Sequence, residues 1–132
     1  MRTARVVGGL TVALTMLLCS NTASAAAPVC YPYGSTGYCQ YQGKVAQAYI
    51  NAYSEILLYF DTPANPADVT GVGLTGVTNF HAARYHTVAN PDFGKALYAS
   101  LLSAQARGAL VTVQMHSTGG GYLQIDRIWV SE

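Results

Sequence analysis

The stretch NPDFGKALYASLLSAQARGALVTVQMH, residues 90–116, decides the fold. Asn90 is of the residue type that caps helix N-termini, and Pro91 suits the first helical position. Gly108 is a typical residue to end a helix. Between them, apolar side chains recur at helical spacing and define one buried stripe: Phe93, Leu97, Leu101 and Ala104. We therefore predict a helix over 91–107 that packs on an apolar core.

Two strands are predicted after this helix. The segment LVTVQMH, residues 110–116, alternates between an apolar and a more polar set: Val111, Val113 and Met115 against Thr112, Gln114 and His116. STGGG, residues 117–121, turns the chain, and YLQIDRIWV, residues 122–130, returns. The apolar residues of that last strand change parity at Asp126-Arg127, which predicts a β-bulge there.

Three further strands are predicted before the helix. Residues 44–60, KVAQAYINAYSEILLYF, fit either a helical stripe or a hairpin, and their density of Tyr, Ile and Phe favours the hairpin. Residues 61–76 hold two prolines and three glycines and are predicted to form a loop. Residues 77–88, VTNFHAARYHTV, alternate as a strand does.

The predicted order is therefore strand, strand, strand, helix, strand, strand. This order predicts an α+β, mostly β fold: a five-stranded OB-like Greek-key barrel whose single helix, 91–107, connects strands 3 and 4. We assign residues 43–132 to this barrel domain.

The stretch FGKALYASLLSAQARGALVTVQM, residues 93–115, resembles the matching helix–strand unit of the B subunits of secreted, pentameric bacterial toxins. That resemblance implies an OB-fold, self-association and glycan binding. The toxin subunits commonly carry a disulfide within the barrel, whereas Cys30 and Cys39 of this chain lie before it. The chain is also similar to small uncharacterised exported proteobacterial proteins, a likeness that implies no activity.

The N-terminus has the pattern of a secretory signal peptide. Arg2 and Arg5 precede an apolar run over 6–18, and Ala23-Ser24-Ala25 has the small residues of a cleavage site. We expect cleavage after Ala25, with the next two alanines as alternative sites. A lipoprotein site at Cys19 is disfavoured because Leu18, just before it, is large. The predicted domain organisation is a signal peptide at 1–25, a Tyr-rich segment at 26–42 and the barrel.

Removal of 25 residues leaves 107 of the 132, with five basic and six acidic side chains and a net charge of −1. A chain so close to neutral lacks the basic patch of a nucleic-acid or anionic-membrane binder. We expect a secreted or periplasmic protein with no nucleic-acid partner and no membrane association after processing. Cys30 and Cys39 then form an even pair in an oxidising compartment and are expected to form a disulfide.

The N-terminal stretch CYPYGSTGYCQY, residues 30–41, concentrates tyrosines among prolines and glycines. Such rings are not all buried, because the stretch has no periodicity, and exposed tyrosine beside amides and hydroxyls is typical of sugar or peptide contact. The alternative is that the rings plug one end of the barrel. We expect Trp129, Phe60 and Phe93 in the core. The candidate ligand-binding residues are Tyr31, Tyr33, Tyr38, Thr112, Gln114 and His116.

Signals for catalysis or a cofactor are few. His81 and His86 fall on opposite faces of one predicted strand, and no cysteine or carboxylate stands at ligand spacing beside them, so we expect no metal. The chain has no nucleophile elbow, phosphate loop or dinucleotide fingerprint, and we expect no cofactor. The sequence favours a non-enzymatic binding module with a glycan or protein ligand and a tendency to self-associate. The alternative is a small hydrolase that uses His116 or His86 with a carboxylate, Asp126 or Glu55.

Overall fold

A computed structural model of the chain describes residues 26–131. It contains seven strands and two helices, so the predicted α+β, mostly β class is confirmed. The elements, in chain order, are β1 (Val29–Tyr31), β2 (Tyr38–Lys44), β3 (Ala48–Ile50), β4 (Glu55–Tyr59), α1 (Pro66–Gly71), β5 (Ala82–His86), α2 (Pro91–Arg107), β6 (Leu110–Gly119) and β7 (Tyr122–Ser131).

Helix α2 has the predicted bounds. The Asn90 side chain accepts a hydrogen bond from the backbone N–H of Phe93 at 3.0 Å, and Gly108 closes the helix in the left-handed conformation at φ 63°. Leu97, Leu101 and Ala104 are fully buried, as the stripe predicts, while Phe93 is only partly buried. The helix therefore packs through one face on the sheet and leaves its other face to solvent.

All seven strands belong to one sheet, in the order β1-β2-β6-β7-β5-β4-β3. Neighbouring strands are antiparallel except β5 and β7, which are parallel. β2 and β3 lie five places apart in this order, a distance of about 24 Å in a flat sheet. The chain between Lys44 and Ala48 spans only about 14 Å when fully extended. The sheet must therefore curl, and the core lies inside the curl under α2.

The predicted count of five strands is too low. β3 to β7 correspond to the five predicted strands, and the two missed ones, β1 and β2, lie in the Tyr-rich N-terminal segment. Cys39, Tyr41 and Gly43 are buried, whereas the residues between them are wholly or partly exposed. This alternation is that of a strand, but the prolines and glycines just before it obscured it. β2 runs across the proposed boundary between residues 42 and 43, which itself stays a prediction.

The hairpin predicted over 44–60 is confirmed, and the helical alternative is wrong. β3 and β4 pair antiparallel with Tyr49 opposite Leu57. Ser54 turns the chain with a positive φ of 63°, and the Asn51 side chain accepts hydrogen bonds from the backbone N–H groups of Tyr53 and Glu55. The loop predicted over 61–76 contains a short helix, α1, whose N-cap is Asn65.

The predicted disulfide between Cys30 and Cys39 is present and joins residues directly opposite each other on β1 and β2. It fastens a three-residue edge strand to the sheet and is compatible with an exported protein. The predicted signal peptide, 1–25, lies outside the described residues. No helix between residues 26 and 131 combines the length and apolarity needed to cross a membrane.

Candidate functional site

The outer face of β2, β6 and β7 carries most of the side chains predicted to bind a ligand. Alternation on β2 buries Cys39 and Tyr41 and turns the residues between and beside them outward. Residues facing each other across the three strands are polar or aromatic: Gln40 lies opposite Gln114, Gln42 opposite Thr112, Thr112 opposite Trp129, and Gln114 opposite Arg127. We call this surface the outer face.

A cleft of about 260 Å³ lies at one end of the outer face and is lined by Tyr33, Tyr38, Gln114, His116 and Arg127. Four of these five residues are predicted ligand-binding residues. The five lining residues come from three separate segments of the chain. The Gln114 side-chain amide donates a hydrogen bond to Gln40 Oε1 at 3.0 Å, which orients it. The cleft therefore combines aromatic rings, a fixed amide and a cation.

The tyrosines form a cluster beside this cleft. The rings of Tyr31 and Tyr38 have their centroids 5.3 Å apart, and Tyr33 meets Tyr38 edge-on at 6.5 Å. Tyr38 in turn lies against the imidazole of His116, at 5.1 Å between centroids. Tyr33 is 72% exposed. The three rings thus lie on the surface, and the buried tyrosine that contacts the core, beside Phe60, is Tyr41.

Two β-bulges between β6 and β7 lie beside the cleft. Gln114 lies opposite Arg127 and Met115 opposite Ile125, so Asp126 has no partner on β6. The next pair is Ser117 and Gln124, so His116 has no partner on β7. The bulge predicted at Asp126-Arg127 is therefore confirmed, and a second bulge on the other strand restores the register.

The two bulged residues contact each other. His116 Nδ1 lies 3.0 Å from Asp126 Oδ2, an ion pair whenever the imidazole is protonated. The Nδ1 atom is buried, but it is not aligned with Oδ2 for a hydrogen bond. The contact is therefore a close approach of the two atoms and not a hydrogen bond. Asp126 Oδ2 also accepts a hydrogen bond from Arg127 Nε at 3.1 Å. One carboxylate thus holds both the imidazole and the guanidinium at the cleft.

The remaining predicted residues lie near the cleft and do not line it. Tyr31 contacts it through Tyr38, and Thr112 lies two residue pairs further along β6 from Gln114, on the same face. Arg127 and Trp129 were not predicted as site residues. Trp129 was expected in the core but is 45% exposed, because the bulge at Asp126 turns Ile128 and Val130 inward and Trp129 outward. The parity change that predicted the bulge was therefore also the signal that places Trp129 on the outer face.

The second histidine–carboxylate pair considered for hydrolysis lies elsewhere in the sheet. His86 and Glu55 are opposite each other on β5 and β4. Glu55 Oε1 is 2.9 Å from Arg84 Nη1, and Glu55 Oε2 accepts a hydrogen bond from the Asn51 side chain at 3.0 Å. The Asn51 hydrogen bond, followed by the charge of Arg84, lowers the pKa of Glu55. A carboxylate so stabilised in its ionised form is a weak proton acceptor.

The cleft offers few ligands for a metal. Over residues 26–131, no three or more His, Cys, Asp or Glu side chains gather closely enough to hold a metal ion. The cleft's own donors are an imidazole and one carboxylate that already contacts a guanidinium.

No protein-family model, curated protein or solved structure matches this chain.

Proposed function

We propose that the chain is an exported, non-enzymatic glycan-binding module built on an OB-like Greek-key barrel. The barrel is supported by the strand order β2-β6-β7-β5-β4-β3, taking β2 and β3 as two halves of one strand that bends at 45–47. The parallel pairing of β5 with β7 and the position of α2 between β5 and β6 agree with it. The proposed likeness to toxin B subunits rests on this same order and on the helix–strand unit at 93–115.

The observation that carries the proposed ligand is the cleft between Tyr33, Tyr38, Gln114 and Arg127. Sugars present C–H faces that pack on aromatic rings and hydroxyls that pair with fixed amides, and this cleft supplies both kinds of contact. Tyr33 is mostly exposed, so its ring is accessible to a ligand without rearrangement of the core. Trp129 extends the aromatic surface further along the outer face.

Arg127 adds a preference among glycans. Its Nε donates to Asp126, and its two Nη groups make no hydrogen bond within residues 26–131. A guanidinium with a free edge pairs well with a carboxylate, in a bidentate manner. We therefore expect sugars that carry a carboxylate to bind more tightly than neutral sugars of the same size.

The test is a glycan-array screen followed by calorimetric titration of the best ligand. Tyr33→Ser is expected to weaken binding by about 1 kcal/mol or more while the melting temperature stays nearly constant. Tyr53→Ser is the matched control, because Tyr53 is also highly exposed but lies in the β3–β4 turn. Equal affinities for the two variants, or a screen without any ligand, would contradict the proposal. A protein ligand instead of a glycan would be shown by binding to a glycan-free partner at the same residues.

The hydrolase alternative has one observation in its favour, the 3.0 Å contact between His116 and Asp126. A histidine oriented by a carboxylate is the usual arrangement of a general base. If the alternative holds, the chain hydrolyses the glycan it binds, and His116→Ala abolishes turnover. We expect instead that the wild-type protein returns its ligand unchanged after long incubation.

A further inference from the structure

A second concave site lies between the β3–β4 hairpin and α2 and has a volume of about 390 Å³. We call it the α2 groove. Among its lining residues are four aliphatic side chains: Ile50, Ile56, Ala99 and Leu102. Ile56 is fully buried, whereas Ile50 and Leu102 are 47% and 43% exposed. The α2 groove thus reaches down to a core residue and has an apolar rim. The described residues that line it all differ from those that line the cleft.

Contacts between the hairpin side and α2 close the groove at both ends. At one end, the backbone N–H of Thr87 donates a hydrogen bond to the Ser54 carbonyl at 2.8 Å, which places Thr87 beside the hairpin turn. A Cβ on Gly94 of α2 would lie 2.7 Å from Thr87 Cγ2, so only glycine lets the helix approach this closely. At the other end, the Gln105 side chain donates to the Ala46 carbonyl at 3.0 Å.

These closures give the α2 groove a finite length. Its lining residues on α2 extend from Pro91 to Leu102, a span of roughly 16 Å at the helical rise. A bound peptide strand or helix would continue past both ends and collide with the contacts that close them. A small molecule would not, and the volume falls within the range of small-molecule sites, roughly 300–1,000 Å³. The shape therefore fits a narrow apolar molecule of limited length.

The polar groups of the groove lie at the end where α2 begins. Lys95 is the one charged side chain among the described residues that line the groove, and Thr87 adds a hydroxyl at the same end. Lys95 is 80% exposed and is only loosely paired, with its Nζ 3.6 Å from Asp92 Oδ1. The first turn of a helix also favours negative charge. The lining at the opposite end of α2 consists of Ala99 and Leu102.

We propose that the α2 groove binds a free single-chain amphiphile with an anionic head group, of the fatty-acid class. The acyl chain lies along α2 over Ile56, between Ile50 and Leu102. The carboxylate lies at Lys95, with the Thr87 hydroxyl as a second donor. The proposal is independent of the glycan and adds a second ligand class to the chain.

The first test is calorimetric titration of the exported protein with octanoate, decanoate and laurate, each kept below its micellar concentration. Because the groove covers the chain, we expect the affinity to rise by about fourfold for each added methylene. Laurate should bind more tightly than dodecyltrimethylammonium, which has the same chain and the opposite charge. Equal affinities for octanoate and laurate, or no saturable binding of laurate, would overturn the proposal.

The second test compares two substitutions in neighbouring residues of α2. Leu102→Asn should weaken laurate binding by about fivefold, because it removes half-exposed apolar surface from the groove. Ser103→Asn is the matched control, since Ser103 is exposed and lies outside the described lining. The melting temperatures of both variants should stay close to that of the wild type. Equal laurate affinities for the two variants would contradict the assigned site.

The third test reverses the charge at the polar end. Lys95→Glu should weaken laurate binding by about fivefold and strengthen the binding of dodecyltrimethylammonium, so that the preference between head groups inverts. A merely structural role of Lys95 would not invert that preference, and an unchanged preference would refute the assigned head-group position. Tyr33→Ser alters the cleft and not the groove, so it should bind laurate as the wild type does.

Vesicles of phosphatidylglycerol distinguish a free ligand from a membrane surface. The proposal predicts that the protein stays in solution when the vesicles are sedimented, because the closed groove admits one chain and not a bilayer. Sedimentation with the vesicles, together with no binding of dispersed laurate, would show that the exposed apolar side chains contact a membrane. That result would overturn the proposal.

Discussion

His116 and Asp126 are the two residues between β6 and β7 that lack a partner on the opposite strand, and their side chains meet at 3.0 Å. Each bulge adds one residue to its own strand, so the two shifts cancel. The pairing of Gln114 with Arg127 and of Thr118 with Leu123 keeps one common register as a result. The contact thus lies where both strands are irregular and beside the cleft that His116 lines, a position typical of bulges near binding sites.

Asp126→Asn tests whether this contact serves binding or stability. The side chains of His116 and Asp126 are 29% and 48% exposed, and an ion pair that solvent reaches on one side contributes about 0–1 kcal/mol to folding. We therefore expect a small change in melting temperature but an altered affinity for acidic glycans, because the orientation of Arg127 depends on the carboxylate. Thermal unfolding and titration on one preparation measure both quantities. A large fall in melting temperature would mean that the bulges need the ion pair in order to form.

The packing of α2 is tested by Leu101→Ala against Lys95→Ala. Leu101 is fully buried against the sheet, and truncation of such a side chain costs about 2–5 kcal/mol of unfolding free energy. Lys95 is highly exposed and pairs only loosely with Asp92 at 3.6 Å, so its loss should cost less than about 0.5 kcal/mol. Urea denaturation measures both. Similar losses for the two variants would be inconsistent with a helix buried along one face.

The disulfide is expected to hold the tyrosine cluster more than the core. Replacement of both cysteines, Cys30→Ser with Cys39→Ala, removes a link that closes a loop of about ten residues, worth about 2.7 kcal/mol at most. β1 then has only three residues to keep it on β2, so Tyr31 and Tyr33 lose their positions. We expect the loss of binding free energy for the glycan to exceed the loss of unfolding free energy. The wild-type exported chain should contain no free thiol, and detection of two would contradict the assigned disulfide.

Local sequence signals were sufficient for helix α2 and for strands β3 to β7, and insufficient for β1, β2 and the short helix α1. Helix α2 was predictable because its cap, its stripe and its terminal glycine lie within one continuous segment. The bulge at Asp126 was predictable because it changes the parity of apolar residues within a single strand. Strands β1 and β2 were missed because their apolar pattern is short and begins in a stretch rich in proline and glycine.

The cleft depends on pairing between distant segments. Gln40 and Gln114 are 74 residues apart and form a hydrogen bond only because β2 and β6 are neighbours in the sheet. Periodicity along the chain carries no information on that neighbour relation. The sequence therefore indicated Tyr38 and Gln114 as separate candidates, and their proximity to Arg127 required the strand order.

The ion pair of Glu55 with Arg84 predicts a pH-dependent contribution to stability. Since the Asn51 hydrogen bond and then the Arg84 charge lower the pKa of Glu55, the folded state binds the proton less readily than the unfolded state does. Its contribution is present above the pKa of an unfolded glutamate, about 4.3, and is lost as the pH falls through the lower folded value. Glu55→Gln should therefore be less stable than wild type near neutral pH, and this difference should shrink in acid.

Chemical denaturation of both proteins at several pH values measures this difference. Asp68→Asn is the control, because Asp68 is an exposed residue in the first turn of α1 and forms no ion pair within residues 26–131. A stability difference between wild type and Glu55→Gln that stays constant from neutral to acid pH would argue against the assigned cause.

Tyr41 is expected to resist ionisation in the folded protein. It is fully buried, and its hydroxyl lies 3.0 Å from Asp61 Oδ2 and 3.1 Å from the Lys44 carbonyl oxygen. Burial, followed by the Asp61 carboxylate, raises the pKa of Tyr41 well above its usual value. Because the folded pKa is raised, the neutral hydroxyl stabilises the fold below the usual tyrosine pKa of about 10, and that contribution is lost as the pH rises further.

Ultraviolet titration of the tyrosinate band measures this directly. The chain has ten tyrosines, and at least one should ionise only when the protein unfolds in alkali, with an abrupt step instead of a gradual rise. Tyr41→Phe should remove that step and lower the unfolding free energy by about 1 kcal/mol. The loss stays this small because Asp61 is exposed, so water replaces the lost hydrogen bond to its carboxylate. Tyr33→Phe is the control, since Tyr33 is exposed and its loss should leave the step intact. Smooth titration of all ten tyrosines in the folded wild-type protein would contradict the burial of Tyr41.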